Sequence, residues 1–222
     1  MLKFAQDFKP DIYIAGGDNL DCGPVSHWLK HKKASIADLD LRKDCEVYTK
    51  LVLHPVNKLM GEKKKFWMIG NHEMWLQDAI EENPGLKRVL DVRNLLNLDG
   101  WEVVEQGEHI KLGHLHFIHG DTLPNVKNLA SVAVERYNCS IAFGHFHTHQ
   151  SFMKHTMISE KPMMGSAIPG LCRVNPNYAM NRPNQWAQGF GFGYLQNDGD
   201  YTLYTPIIIN GRFSAEGKVY KG

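Results

Sequence analysis

Phe66-Trp67-Met68-Ile69-Gly70-Asn71-His72-Glu73 is the stretch whose reading decides the fold. An apolar run with strand character stops at a glycine and is followed by an amide, an imidazole and a carboxylate in consecutive positions. The same pattern recurs elsewhere. Ile12-Tyr13-Ile14-Ala15 leads to Gly17-Asp18-Asn19-Leu20-Asp21, Leu115-His116-Phe117-Ile118 to His119-Gly120-Asp121, and Ile141-Ala142-Phe143 to Gly144-His145-Phe146-His147. Short buried-type strands that end in Asp, Asn or His beside glycine gather polar ligands along one edge of α/β sheets. The expectation is therefore an α/β fold carrying a metal site.

Composition limits the alternatives. A chain of 222 residues, 43% hydrophobic and 22% charged, fits one domain, 1–222, with a substantial core. A formal net charge of +1 gives no global attraction to nucleic acid or anionic membrane, although a local basic face is compatible with it. No apolar run approaches the roughly 20 residues of a membrane span, and the amino terminus reads as neither a signal nor a transit peptide. Cys22, Cys45, Cys139 and Cys172 are far apart, with no Cys-x-x-Cys pair. Free thiols in a reducing cytoplasm are the first reading; disulfides or a thiolate zinc site are the alternatives.

In chain order, a helix over 1–8 leads to a strand over 11–15. A long helix over 38–60 follows, with Leu39, Val47, Leu51, Val52, Val56 and Leu59 near helical spacing. Lys63, Lys64 and Lys65 then read as a solvated face. After the strand at 66–69, helical material runs to about 97, broken at Asn83-Pro84-Gly85. Strands are expected at 101–104, 108–112 and 114–118, a helix at 125–137, a strand at 140–143 and a strand-rich 150–168. The segment 170–188 reads as an ordered loop with Tyr178 and Trp186 to bury. A closing pair of strands is expected from Phe190, Phe192 and Tyr194 through Tyr201 to Ile209. Two mixed β-sheets packed together with helices outside, an αββα sandwich, is the architecture expected.

Asp18, Asn71, His119 and His145 make a plausible donor set: one carboxylate, one amide oxygen and two imidazoles. Mixed oxygen and nitrogen donors suit Mn²⁺, Fe, Zn²⁺ or Ni²⁺ better than Ca²⁺ or a thiolate-preferring metal. In an extended segment, His147 and His145 project to either side of one intervening residue, towards a common site or two neighbouring metals.

The blocks Gly17-Asp18-x-x-Asp21, Gly70-Asn71-His72-Glu73, His119-Gly120-Asp121 and Gly144-His145-Phe146-His147 resemble, in order, the signature blocks of the calcineurin-like metallophosphoesterases. The resemblance runs from about residue 1 to 165. The following segment, Gly165-Ser166-Ala167 through Arg182-Pro183-Asn184-Gln185-Trp186 to Gly189-Phe190, is similar to the tail of phage and bacterial members. The resemblance implies two metals that clamp a phosphate, with Asp18 bridging them. It implies that Asn71, His119 and His145 complete one metal position and that His147 belongs to the other. His72 would act over the phosphate as cation or general acid, oriented by Asp21 or Glu73. The implied reaction is in-line attack on phosphorus by a metal-activated hydroxide.

One departure stands out. The family's first block is an Asp-x-His at the end of the first strand, and no histidine precedes Asp18 here. The expectation is one complete site beside a depleted one. Three accounts compete: a truncated sequence, a minimal form using stray ligands such as His27 or His149, or a partner chain that supplies the missing strand. Loss of that strand would expose a sheet edge and favour a homo-oligomer.

A phosphate-ester hydrolase is thus expected. Phosphodiesters, including nucleotides or nucleic acid, are favoured over phosphomonoesters, because a positioned acid at His72 helps a poor leaving group most. The alternative is a weak or inactive scaffold of the same fold that binds proteins. Arg173 and Arg182 are candidates for substrate phosphate, against a structural role. Trp186 and Phe190 are candidates for base stacking, against core packing.

Overall fold

Two of the expected strands lie side by side and bring their ligand-bearing ends together. The structure, a computed structural model, describes residues 1–222 except 30, 32, 159–160 and 177–182. The chain divides into two compact units, residues 2–106 and 107–222.

In the first unit the elements are α1 (Leu2–Phe8), β1 (Ile12–Ala15), α2 (Lys33–Ile36), α3 (Leu41–Tyr48), α4 (His54–Met60), β2 (Lys64–Met68), α5 (Asn71–Glu82), α6 (Lys87–Leu90), α7 (Val92–Leu96) and β3 (Glu102–Val104). The strands form a parallel sheet in the order β1-β2-β3, with Ala15 opposite Trp67 and Met68 opposite Val104. Parallel pairing points the carboxyl ends of β1 and β2 the same way, so the Gly17-Asp18 and Gly70-Asn71 turns emerge at one edge. Trp67 is wholly buried, and Tyr48 and Trp101 pack edge-on against it with centroids 5.5 and 6.1 Å away. Leu53, Val56, Met60, Leu76 and Leu96 fill the same core.

The long helix differs from expectation in two ways. It begins at Leu41, because Asp40 caps it by accepting from the Lys43 N–H at 3.2 Å. A π-type turn over Thr49–Leu53 then joins α3 to α4. One wide turn rotates the faces before and after it relative to one another, so a single 3.6-residue stripe does not describe the whole helix. Leu39, Val47 and Leu51 are accordingly exposed, while Cys45, Leu53, Val56 and Met60 are buried. The lysine cluster also divides. Lys63 pairs with Asp11 at the surface, but Lys65 is buried, its ammonium donating to the Gly61 carbonyl.

The second unit contains β4 (Ile110–Leu112), β5 (Leu115–Ile118), α8 (Leu129–Tyr137), β6 (Ser140–Phe143), β7 (Gln150–Lys154), β8 (Met163–Ala167), β9 (Phe192–Leu195), β10 (Tyr201–Tyr204), β11 (Arg212–Ala215) and β12 (Lys218–Lys221). Five strands form a mixed sheet in the order β4-β5-β6-β8-β7, with β5, β6 and β8 mutually parallel. The ends of β5 and β6 therefore also share one edge. Helix α8 starts at Leu129 rather than near 125. The Gln150 side chain on β7 closes that end, accepting from the Ala130 N–H at 3.3 Å and donating to the Lys127 carbonyl at 2.8 Å. Gly165 lets β8 approach α8, since a Cβ there would strike the Ala130 carbonyl. Strands β9 and β10 form the expected closing pair, and β11 and β12 add a hairpin that the sequence reading missed. The chain is of mixed α/β class, with several sheets, one of them five-stranded and mixed, and helices.

All four cysteines are free thiols. Burial pushes the Cys22 thiol far up and the Cys45 thiol up to about 11, whereas Cys172 is exposed. Only a thiolate alkylates readily. Iodoacetamide at neutral pH is therefore expected to modify Cys172 first in the native protein, and Cys22 and Cys45 only after denaturation, as peptide mass spectrometry would show. Rapid native modification of Cys22 would contradict this packing.

Candidate active site

In the first unit the predicted residues meet at the ends of β1 and β2. Asp18 sits in the left-handed backbone region at φ 51°, where Asn and Asp are the best tolerated residues after glycine. Asn71 is the first residue of α5 and His72 the second. The His72 N–H donates to Asp18 Oδ1 at 2.9 Å, so the helix start is tied directly to the β1 turn. Gly70 makes that approach possible, because any Cβ there would collide with the Asp18 backbone N and carboxylate.

Beneath these residues lies Glu73, buried to 3% exposure. Its Oε1 accepts from the N–H groups of Asn19 (2.7 Å) and Leu20 (3.1 Å), and its Oε2 from those of Asp18 (3.0 Å) and Gly70 (2.9 Å). One carboxylate thus satisfies the turn after β1 and the start of α5 together. The bond to Gly70 is the side-chain half of a capping box. Burial first, then the neighbouring Asp18 carboxylate, push the Glu73 carboxyl up to about 7, against the pull of the backbone N–H groups of Leu20, Gly70 and Asn19.

The two acids offered as partners for His72 differ in position. Asp21 is exposed and lies with Oδ1 3.6 Å from His72 Nδ1, while His72 Nε2 is 3.9 Å from Asp18 Oδ2. Glu73 is occupied by the backbone. The face of the His72 ring stacks on Trp75, with centroids 4.2 Å apart and planes 21° from parallel, a contact the sequence reading missed. The signal for it was present, since positions i and i+3 on a helix are neighbours.

In the second unit, His119 is buried at the end of β5, and its ring meets that of His145 edge-on at 5.1 Å. The Gly144 N–H donates to the His119 carbonyl at 2.8 Å, which pins one strand end to the other. His145 and His147 both have positive φ, 61° and 53°. The segment is therefore a tight loop and not extended, which corrects the expectation of alternating projection. Two left-handed turns leave His147 against Trp186, with centroids 4.5 Å apart, and its Nδ1 3.3 Å from Cys172 Sγ. Backbone strain of this kind at non-glycine residues concentrates at functional sites. Arg173 follows Cys172 and is exposed; Arg182 and Tyr178 lie outside the described residues. Phe190 is buried against Phe213, at a centroid distance of 5.0 Å, which favours packing for that residue. Among the described residues, no helix is long and apolar enough to cross a membrane.

Compared with known families, residues 1–163 match the model of the calcineurin-like phosphoesterases. No curated protein matches the chain.

Proposed function

This chain belongs to the calcineurin-like phosphoesterase family, and from that premise we propose that it is a metal-dependent hydrolase of phosphate esters. We propose phosphodiesters, among them nucleotides or nucleic acid, ahead of phosphomonoesters, and the cytoplasm as its compartment. Residues 1–222 are proposed as a single metallophosphoesterase-like domain. The observation that supports this most is the placement of Asp18 and Asn71 at the ends of parallel strands in one unit, and of His119 and His145 in the other.

The donor set fits a divalent transition metal. Asp18, His119 and His145 supply a carboxylate and two imidazoles, to which Asn71 adds an amide oxygen. Mn²⁺ is proposed first, with Fe, Zn²⁺ or Ni²⁺ as alternatives, and His147 is assigned to a neighbouring metal position. Such a metal lowers the pKa of water and neutralises charge that develops on phosphorus. The chain's own residues do the remainder. Asn71 and His72 bind the substrate phosphate, with Arg173 reaching it from the surface. His72, steadied by Asp21, gives a proton to the leaving oxygen. Glu73 holds the loop that carries Asp18.

Hydrolysis of bis-p-nitrophenyl phosphate tests the reading. Turnover is expected to need Mn²⁺ and to stop with chelator. Replacing His72 by Ala is expected to lower kcat by about 10²–10⁴, the usual contribution of a positioned acid, on a phosphodiester with an unactivated alkyl leaving group, and by less on bis-p-nitrophenyl phosphate, whose leaving group needs little protonation. If neither diester nor monoester turns over and His72→Ala changes nothing, the protein is a scaffold of this fold.

A further inference from the structure

We propose that Trp75 is a positioning residue for His72, setting the plane of the imidazole that faces the substrate. This rests on the catalytic reading of His72 above. The imidazole has few other restraints. Its Nδ1 makes no hydrogen bond among the described residues, and carboxylate oxygens lie 3.6 Å from Nδ1 (Asp21) and 3.9 Å from Nε2 (Asp18). Asp21 steadies one ring atom, but it is largely exposed, with 72% of its side chain accessible, and does not set the plane of the ring. By contrast, the indole face lies parallel to the imidazole, 4.2 Å away and inclined by 21°.

The platform is rigid where the acid is not. Trp75 is 9% exposed and packs in the core of the first unit with Leu20, Cys22 and Leu76. It stands three residues after His72 on α5, so the helix fixes the rotation of one ring over the other. Aromatic pairs prefer offset-stacked or edge-to-face arrangements, and this nearly parallel pair is of the stacked kind. The core thus transmits its order to a side chain at the sheet edge without any hydrogen bond. A ring free to turn would present its proton in many directions, and misplacement on the scale of 1 Å costs catalysis heavily.

The test uses the full chain and the variants Trp75→Phe and Trp75→Leu. In wild-type protein the His72 ring proton resonances are expected to be shifted upfield by the indole, and to lose that shift in Trp75→Leu. On a phosphodiester with an unactivated alkyl leaving group, with Mn²⁺, Trp75→Leu is expected to lower kcat about tenfold or more with little change in KM. Trp75→Phe keeps a ring face and is expected to restore most of kcat. In a His72→Ala background, Trp75→Leu is expected to have no further effect. Unshifted His72 resonances in the wild type overturn the proposal, with or without activity. So does an equal loss of kcat in the His72→Ala background, since it shows a general structural effect. If the shift is present but the wild type hydrolyses nothing, the catalytic reading has failed and the positioning stands.

Discussion

Replacing Glu73 by Ala is expected to destabilise the protein by about 3–5 kcal/mol, because two buried N–H donors and two part-buried ones lose their acceptor together. Each stranded buried donor costs about 1–3 kcal/mol, and water entering the space vacated by the side chain recovers part of it. Against a total stability of about 5–15 kcal/mol, such a loss removes much of the margin. Glu73→Gln should cost roughly half as much. Its carbonyl can still accept from Asn19 and Leu20, but its NH₂ then faces the N–H groups of Asp18 and Gly70. Urea unfolding checks both, and a Glu73→Ala loss below about 1 kcal/mol would contradict the role assigned to the carboxylate.

The second large effect concerns activity. Asp18→Asn is the most informative variant at the proposed metal position. Asn tolerates the left-handed backbone at φ 51° and can still accept from the His72 N–H, so the fold is retained while the charge is lost. His145→Asn follows the same logic at φ 61°. A metal contributes several kcal/mol to transition-state stabilisation, and each 1.4 kcal/mol is about tenfold in rate. Each substitution is therefore expected to lower kcat/KM for bis-p-nitrophenyl phosphate on the order of 10³-fold with little change in the unfolding midpoint. Activity within about tenfold of wild type would remove these residues from the proposed metal position.

The strand ends were the most legible part of the chain. An apolar run that stops at glycine followed by Asp, Asn or His carries its signal in four or five adjacent residues, and β1, β2, β5 and β6 all end where that signal falls. Features that depend on distant partners were not legible. The start of α8 rests on Gln150, and burial of Lys65 rests on the neighbours its stem packs among. The π turn between α3 and α4 has no local residue signature, so a uniform helical period placed Val47 and Leu51 on the wrong face. The β11–β12 hairpin had a readable signal in Glu216-Gly217, both at positive φ, with buried Phe213 and Ala215 alternating with exposed Arg212 and Ser214. Glu73, adjacent to His72, stood with Asp21 as one of two candidates to orient it. Only the folded backbone shows that four N–H groups claim it.

Metal content tests the central claim most directly. After equilibration with Mn²⁺ and removal of unbound ion, elemental analysis of the wild-type protein is expected to find at least about one ion per chain, and Asp18→Asn to lose most of it. A folded wild-type protein that retains no metal, or an Asp18→Asn variant that binds as much as wild type, would contradict the account.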